Sequence, residues 1–338
     1  MKNKSGLIQK AGLVLISTII LSGCAKQKEP VRPQPKPLIE TIRAIPDSAI
    51  TLSRADLRKA APLSAKGLKS VIGNAPVVFF SEWHDESAKR DALTRMAGEL
   101  KAAGIRQLVL GDMDADQQPL VVQFNKTGRL PWALVDTILQ YQVRGESDKE
   151  ACRMQDSFMA FMAAMHKAGI RLIAGGYSGE HYAQDGRKGG LDAYRPVADS
   201  VLAKNIKKRL RQGRTAVLVG ERHVEGTSKW LRGYGFQSVS IRLSCKDEKL
   251  RYNDLQTPFG LRNEKNRRMY RAYSEAFDET KYAQPIIWPV PNRFKIDFPF
   301  DGVIYNPTQT PDSFYQNWIR EIWPGTSGSG KEGKGQSG

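Results

Sequence analysis

The apolar and polar positions of the chain follow a pattern in which amphipathic stretches run directly into short apolar ones. Three times an amphipathic stretch ends in a small residue and a glycine and continues as an apolar run, at residues 101–112, 167–176 and 231–243. Glycine suits the left-handed residue that ends many helices, and β-branched runs suit buried strands. Each junction predicts a helix followed by a strand, and the apolar runs at 75–81 and 215–220 predict two more strands.

The order of these elements predicts an α/β fold. Helical stretches at 85–103, 150–168 and 193–212 separate the predicted strands. Strands that alternate with helices favour βαβ units, so we expect a largely parallel central sheet flanked by helices in a single domain. A late apolar run at 301–306 is expected to add an edge strand. Residues 244–299, with scattered prolines and aromatics, are expected to form an irregular C-terminal cover.

The first residues have the pattern of a bacterial lipoprotein signal peptide. Lys2, Lys4 and Lys10 precede an apolar stretch at 11–21, which is shorter than the roughly 20 apolar residues of a transmembrane helix. The stretch ends in Leu-Ser-Gly-Cys, which resembles a lipobox with Cys24 as the lipidated residue. Acyl chains contribute about 0.8 kcal/mol per buried methylene, so several chains on one cysteine would make a durable membrane anchor.

These features predict four segments and a location. Residues 1–23 are the expected signal peptide, 24–40 the lipidated cysteine and a proline-rich tether, 41–324 the α/β domain and 325–338 a disordered Gly/Ser/Lys tail. We therefore expect a protein that is lipid-anchored in the bacterial cell envelope. Ala25 follows the cysteine, and in a Gram-negative cell this favours the outer membrane.

The chain is strongly basic. Its formal charge is +17, of which the three lysines of residues 1–23 supply three units, and much of the excess lies in 204–214 and 262–271. Such a charge favours an anionic lipid, an anionic cell-wall polymer or an acidic partner, although a solvated surface explains it equally well. Nucleic acid is not an expected partner outside the cytoplasm. After Cys24, only Cys152 and Cys245 remain, and the sequence leaves their pairing open.

Two of the four histidines follow apolar strands in the same context. Glu82 and His84 come after the strand at 75–81, and Glu221 and His223 come after the strand at 215–220. The carboxyl ends of parallel strands meet at one edge of a sheet, where α/β proteins bind ligands. Imidazole and carboxylate groups can hold a divalent metal ion or remove a proton from water, although each histidine also fits an ordinary loop. The candidate catalytic or metal-binding residues are Glu82, His84, Asp112, Glu221 and His223, with Arg222 as a candidate for stabilising an anion.

The segment after the strand at 171–176 contains a second group of candidates. Tyr177, His181 and Tyr182 lie in the sequence GGYSGEHY. Tyrosine and histidine are both ligands of haem iron, so these three residues are candidate haem ligands. A flexible loop without a functional role is the alternative.

A strand that runs into Glu-x-His-Asp and a later strand that runs into Gly-x-x-His-Val resemble the Tiki superfamily over roughly residues 70–306. This superfamily includes ChaN-type haem-binding lipoproteins, TraB proteins, Tiki metalloproteases and, more distantly, erythromycin esterases. The ChaN type fits best, and it implies haem binding, a homodimer formed over the haem, a haem receptor as partner and a role in iron uptake. Ser81 and Glu86 depart from the usual pattern, which offers a glycine and an asparagine there.

The enzymatic members of the superfamily imply a different function. Glu82, His84 and His223 match their motif positions, which implies a metal-dependent or histidine-based hydrolase. The first hypothesis is therefore a membrane-anchored lipoprotein that binds haem or a related iron ligand. The alternatives are such a hydrolase, with a divalent metal ion as its cofactor, and a non-catalytic protein that binds the cell envelope through its basic surface.

Overall fold

The computed structural model of the chain describes residues 54–82, 87–141, 148–177, 179–210, 213–245, residue 277, 284–292, 300–308 and 310–322. The predicted signal peptide, the lipidation site Cys24, the tether, the tail and His84 lie outside these residues. The backbone of 179–193 is described without its side chains, so the side chains of His181 and Tyr182 also lie outside the description.

The described residues build one eight-stranded sheet and its flanking helices. The strands are β1 (Ala61–Pro62), β2 (Val77–Glu82), β3 (Gln107–Asp114), β4 (Arg171–Gly176), β5 (Thr215–Gly220), β6 (Ser238–Cys245), β7 (Ile286–Pro289) and β8 (Gly302–Asn306). The helices are α1 (Arg54–Leu57), α2 (Ala65–Ile72), α3 (Ser87–Arg95), α4 (Ala97–Ala102), α5 (Gln118–Thr127), α6 (Trp132–Tyr141), α7 (Asp148–Lys167), α8 (Gly179–Arg209), α9 (Glu221–Gly233) and α10 (Asp312–Ile322). None of the helices in this part of the chain combines the length and apolar character needed to cross a bilayer.

The sheet is mostly parallel, as the sequence predicts. Its strand order is β1-β7-β8-β6-β2-β5-β3-β4. The six strands from β8 to β4 run parallel, and β7 is antiparallel to both of its neighbours. The connections from β2 to β3, β3 to β4, β4 to β5 and β5 to β6 all carry helices, as parallel strands require.

The three predicted junctions from helix to strand are confirmed. Gly104, Gly169 and Gly235 have φ angles of 94°, 70° and 82°, which lie in the left-handed region that glycine adopts at little cost. They stand between α4 and β3, between α7 and β4, and between α9 and β6. A repeated local pattern therefore fixes the start of three of the parallel strands.

Both faces of the sheet are covered. Val78 and Phe80 of β2 belong to a core formed with α2 to α7 and α10, whereas Val77 and Phe79 belong to a second core formed with α8 and α9. All six residues of β2 are buried, which explains why its first four residues form a continuous apolar run. A third, smaller cluster surrounds β7 and β8 and includes Trp288.

Some features of the sheet differ from the sequence prediction. The strand at 302–306 was expected at an edge, but β8 lies between β6 and β7. The partner β7 falls in the segment 244–299 that was expected to be irregular, and most of that segment lies outside the described residues. Cys152 is exposed, Cys245 is buried, and both are free thiols, so the two do not pair.

Candidate functional site

The carboxyl edge of the parallel strands brings several of the predicted site residues close together in the sheet. Glu82, the last residue of β2, is the register partner of Gly220, the last residue of β5. Glu221 begins α9 directly after Gly220. Asp112 lies near the end of β3, where the pairing with β4 shifts register between Leu110 and Asp114.

Glu82 is held by an arginine that the sequence analysis did not single out. Arg90 of α3 donates to both carboxylate oxygens, with Nε 3.3 Å from Oε2 and Nη2 against Oε1. The two side chains are only 1% and 4% exposed, and the guanidinium carbon lies 4.9 Å from the centre of the Phe158 ring. Glu82 is therefore one half of a buried ion pair on the α3 face of the sheet.

Glu221 is also paired with an arginine. Its Oε2 accepts a hydrogen bond from Nε of Arg242 at 3.1 Å, and the Arg242 side chain is 1% exposed. Arg242 lies on β6 beside Ser81 of β2. The two predicted glutamates thus end neighbouring strands but are each neutralised by a separate arginine.

His223 forms a dyad with an aspartate from the preceding helix. Its Nδ1 lies 2.7 Å from Oδ1 of Asp199, and the aspartate side chain is 5% exposed. Thr227, one turn further along α9, donates to the same carboxylate oxygen at 3.5 Å. The His223 side chain is 26% exposed, so the imidazole reaches solvent while its carboxylate partner stays buried.

Gly226 makes this approach of α8 to α9 possible. A Cβ atom at this position would lie 1.8 Å from Oδ2 of Asp199 and 2.7 Å from its Cγ, which is far inside any normal contact. A glycine in a helix interior costs about 1 kcal/mol relative to alanine. Here the missing side chain is what lets the Asp199 carboxylate lie against the first turns of α9.

The dyad defines what His223 can do chemically. In a neutral imidazole one ring nitrogen carries the proton and the other accepts. A carboxylate at Nδ1 favours the tautomer in which Nδ1–H donates to Asp199, and this leaves the Nε2 lone pair for a ligand or a proton. Arg222, the preceding residue in the first turn of α9, is exposed.

The predicted divalent metal site includes His84, which lies outside the described residues. Among the described residues no group of three or more His, Cys, Asp and Glu side chains is placed to hold a metal ion. Two of the predicted ligands, Glu82 and Glu221, are bound by Arg90 and Arg242. An arginine-bound carboxylate offers a metal little negative charge.

The haem-ligand candidates lie at the end of β4, at the same edge of the sheet. Tyr177 directly follows β4 and is half-buried, and its ring centre is 5.4 Å from that of Tyr194 in α8. A phenol beside a second aromatic ring fits both the ligand chemistry and the flat shape of haem. His181 and Tyr182 belong to the first turn of α8.

A buried polar network follows the 83–86 segment. Asp91 of α3 accepts hydrogen bonds from Tyr315 at 2.6 Å and from Ser157 at 2.8 Å. Burial raises the pKa of the Asp91 carboxyl above its ordinary value, against the opposing effect of these donors. Burial, and then the Asp91 charge, raise the pKa of Tyr315 to about 12. This network ties α3 to α7 and α10.

The sequence analysis missed three residues of this edge: Asp199, Arg90 and Arg242. Asp199 stands 24 residues before its histidine partner in an ordinary amphipathic helix, with no motif around it. The one signal in the sequence is Gly226, because an isolated glycine inside a helical pattern often marks a close approach of another element.

Comparison with known proteins adds partial similarities of fold. No protein-family profile matches the chain, and no curated protein matches it. Among solved structures, ChaN of Campylobacter jejuni, which binds haem cofacially, shares 10% identity and a TM-score of 0.38 over 54% of this chain and 86% of that one. The type III effector HopBA1 shares 12% identity and a TM-score of 0.37 over 59% of this chain and 88% of that one. RRSP, a MARTX toxin effector domain of Vibrio vulnificus, shares 13% identity and a TM-score of 0.36 over 49% of this chain and 31% of that one.

At such low identities and TM-scores these similarities assign neither a family nor an activity to the chain. The resemblance to the Tiki superfamily stays a prediction from the sequence motifs.

Proposed function

We propose that the chain is a hydrolase in which His223 acts as the general base. The observation that carries this proposal is the 2.7 Å contact between Nδ1 of His223 and the buried Asp199 carboxylate. It supports an imidazole that is fixed in orientation and tautomer by its partner and presents Nε2 to solvent at the carboxyl edge of the sheet. A histidine used in this way contributes about 10²- to 10⁴-fold to a proton-transfer step.

In the proposed reaction, Nε2 of His223 takes a proton from a water molecule as the water oxygen bonds to the carbonyl carbon of an ester. The imidazolium, stabilised by Asp199, then returns the proton to the leaving oxygen as the carbon–oxygen bond breaks. Arg222 and the first N–H groups of α9 are the groups we propose to stabilise the developing oxyanion. The same steps apply to a phosphoester, with attack at phosphorus.

The test is a panel of chromogenic carboxylic esters and phosphoesters. His223→Gln is expected to lower turnover by about 10²- to 10⁴-fold, and Asp199→Asn by about 10- to 100-fold. His166→Gln is the matched control, because His166 lies at the end of α7, packed 5.3 Å from the Phe124 ring. Turnover that survives in His223→Gln, or that falls equally in His166→Gln, would contradict the proposal.

A second candidate function is haem binding, which the half-buried Tyr177 favours. The Tyr177 phenol oxygen would be the iron ligand, with the ring of Tyr194 beside it. Bound haem would supply a redox-active iron. A Soret titration should saturate at about one haem per chain or per dimer, and Tyr177→Phe, His181→Ala and Tyr182→Phe together should abolish the shift. A titration without saturation would exclude haem and leave the hydrolase proposal untouched.

We further propose that the chain is anchored to a membrane through lipid on Cys24. The support is the sequence pattern described above, because Cys24 lies outside the described residues. Growth with a clickable palmitate analogue should label the wild-type protein, and Cys24→Ser should abolish labelling. Labelling that persists in Cys24→Ser would contradict lipidation at this residue.

A further inference from the structure

The amino edge of the sheet, opposite the dyad, collects positive charge from the ends of several helices. Helices that connect parallel strands run back across the sheet, so their C-termini lie where the next strands begin. The helices α4, α7, α8 and α9 all end at this edge with basic residues in their last turns. Cations are favoured there because they oppose the negative end of the helix dipole.

We call this surface the basic edge. It consists of Lys101, Arg106, Lys204, Lys207, Lys208, Arg209, Arg214, Lys229 and Arg232. Lys204 and Lys229 stand between one and one and a half turns before the helix ends, and Arg106 and Arg214 immediately precede β3 and β5. The members on α8 and α9 are adjacent because these two helices pack against each other.

The innermost of these cations, Arg214 and Lys101, donate hydrogen bonds to main-chain carbonyl oxygens rather than to carboxylates. The guanidinium of Arg214 donates to the carbonyl oxygens of Gly73 at 2.6 Å, Ala103 at 2.9 Å and Ala75 at 3.0 Å. The ammonium of Lys101 donates to the carbonyl oxygen of Gly169. These bonds fix the cations in place without cancelling their charge, so the edge keeps a positive potential.

An aromatic pair, the exposed Trp230 and the partly buried Tyr234, accompanies the charges. Trp230, in the last turn of α9, is 44% exposed, and its ring centre is 6.5 Å from that of Tyr234. The ammonium of Lys207 lies 4.4 Å from the centre of the Tyr234 ring. Indole and phenol rings among cations are typical of surfaces that lie at a lipid headgroup layer.

We propose that the basic edge docks on an anionic phospholipid surface. This inference builds on the proposed anchor at Cys24, which would hold the domain close to such a surface. Docking by the basic edge would turn the carboxyl edge, with His223 and Asp199, away from the bilayer. A six-residue strand spans about 20 Å, and the Debye length in physiological salt is about 8 Å. The dyad would thus face solution beyond the surface potential, open to water-soluble substrates.

The experiment uses the chain from residue 24 onward with Cys24→Ser, so that binding does not depend on the lipid. Co-sedimentation is measured with phosphatidylglycerol-containing vesicles and with pure phosphatidylcholine vesicles, at low and high salt. Binding is expected only to the anionic vesicles and is expected to weaken steeply with salt. Lys204→Glu with Lys208→Glu should weaken it by about 25-fold or more, and Trp230→Ala should weaken it further.

The matched control reverses two charges away from the basic edge. Arg58→Glu with Lys59→Glu makes the same change in net charge on exposed residues beside β1, at the far end of the sheet. It should change binding by no more than about 2-fold. The inference is overturned by an equal loss in both double variants, by equal binding to both vesicle types, or by binding to isolated anionic cell-wall polymer without binding to vesicles. Because Cys24 is absent from this assay, such a failure would leave the anchor proposal standing.

Discussion

Gly226→Ala tests whether the packing of α8 against α9 creates the dyad. The added Cβ would lie 1.8 Å from Oδ2 of Asp199, whereas carbon and oxygen atoms normally stay about 3.3 Å apart. The carboxylate must therefore move by about 1.5 Å, which breaks a hydrogen bond of 2.7 Å to His223. The expected result is a loss of both stability and dyad geometry.

The magnitude follows from two opposing contributions. Loss of a hydrogen bond to a charged group costs about 1.5–3 kcal/mol, whereas replacing glycine by alanine within a helix gains up to about 1 kcal/mol. Gly233→Ala in the same helix is the matched control, because a Cβ there meets no atom within 4 Å. The two alanine variants should therefore differ by about 1.5–3 kcal/mol in the free energy of unfolding, with Gly226→Ala the less stable.

The assay is urea denaturation followed by circular dichroism, on the wild type and both variants. In an Asp199→Ala background most of the clash disappears, so Gly226→Ala should then cost much less. A Gly226→Ala variant as stable as Gly233→Ala, or an unchanged cost in the Asp199→Ala background, would refute the close contact between Asp199 and α9.

Three further predictions concern the buried groups of α3 and α10. Arg90→Met should lower the free energy of unfolding by about 3–5 kcal/mol, because it leaves the Glu82 charge buried without its partner. Adding Glu82→Gln to this variant should recover much of the lost stability in the same denaturation assay. Because burial raises the pKa of the folded Asp91 carboxyl above its ordinary value of 3.8, stability should fall as pH rises from there through the raised pKa of this carboxyl. Asp91→Asn should flatten that part of a denaturation-against-pH curve, and an unchanged slope would contradict the assignment. Tyr315→Phe removes the hydrogen bond of 2.6 Å that the phenol donates to Asp91 and should lower the free energy of unfolding by about 1.5–3 kcal/mol. In ultraviolet absorbance, the same variant should lack the phenol whose pKa is raised to about 12.

The parallel part of the fold was predictable because it rests on local signals. Gly104, Gly169 and Gly235 each mark a helix end that the backbone confirms, and the apolar runs mark buried strands. Strands β1 and β7 were not predictable, since two and four residues are too few to show a period. Pairing with β1 and β8 defines β7, and the pairing with β1 joins distant parts of the chain.

The candidate site was predictable only in outline. The rule that parallel strands end together places Glu82 and Glu221 at one edge, because each closes or follows an apolar run. Their arginine partners come from elements that carry no motif, and these ion pairs change the chemistry expected of the glutamates. Both glutamates of the repeated Glu-x-His pattern are paired with arginines. The carboxylate that contacts His223 belongs to Asp199, which only packing between helices reveals.

The most direct test of the central claim is chemical rescue of His223→Ala by imidazole, measured as hydrolysis of the best substrate in the ester panel. If the imidazole of His223 is the general base, the variant should lose about 10²- to 10⁴-fold in rate. Added imidazole should then restore part of that rate, in proportion to the fraction of unprotonated imidazole. A variant that hydrolyses the substrate at the wild-type rate, or an impaired variant that imidazole does not rescue at any pH, would contradict the assignment of His223 as the base.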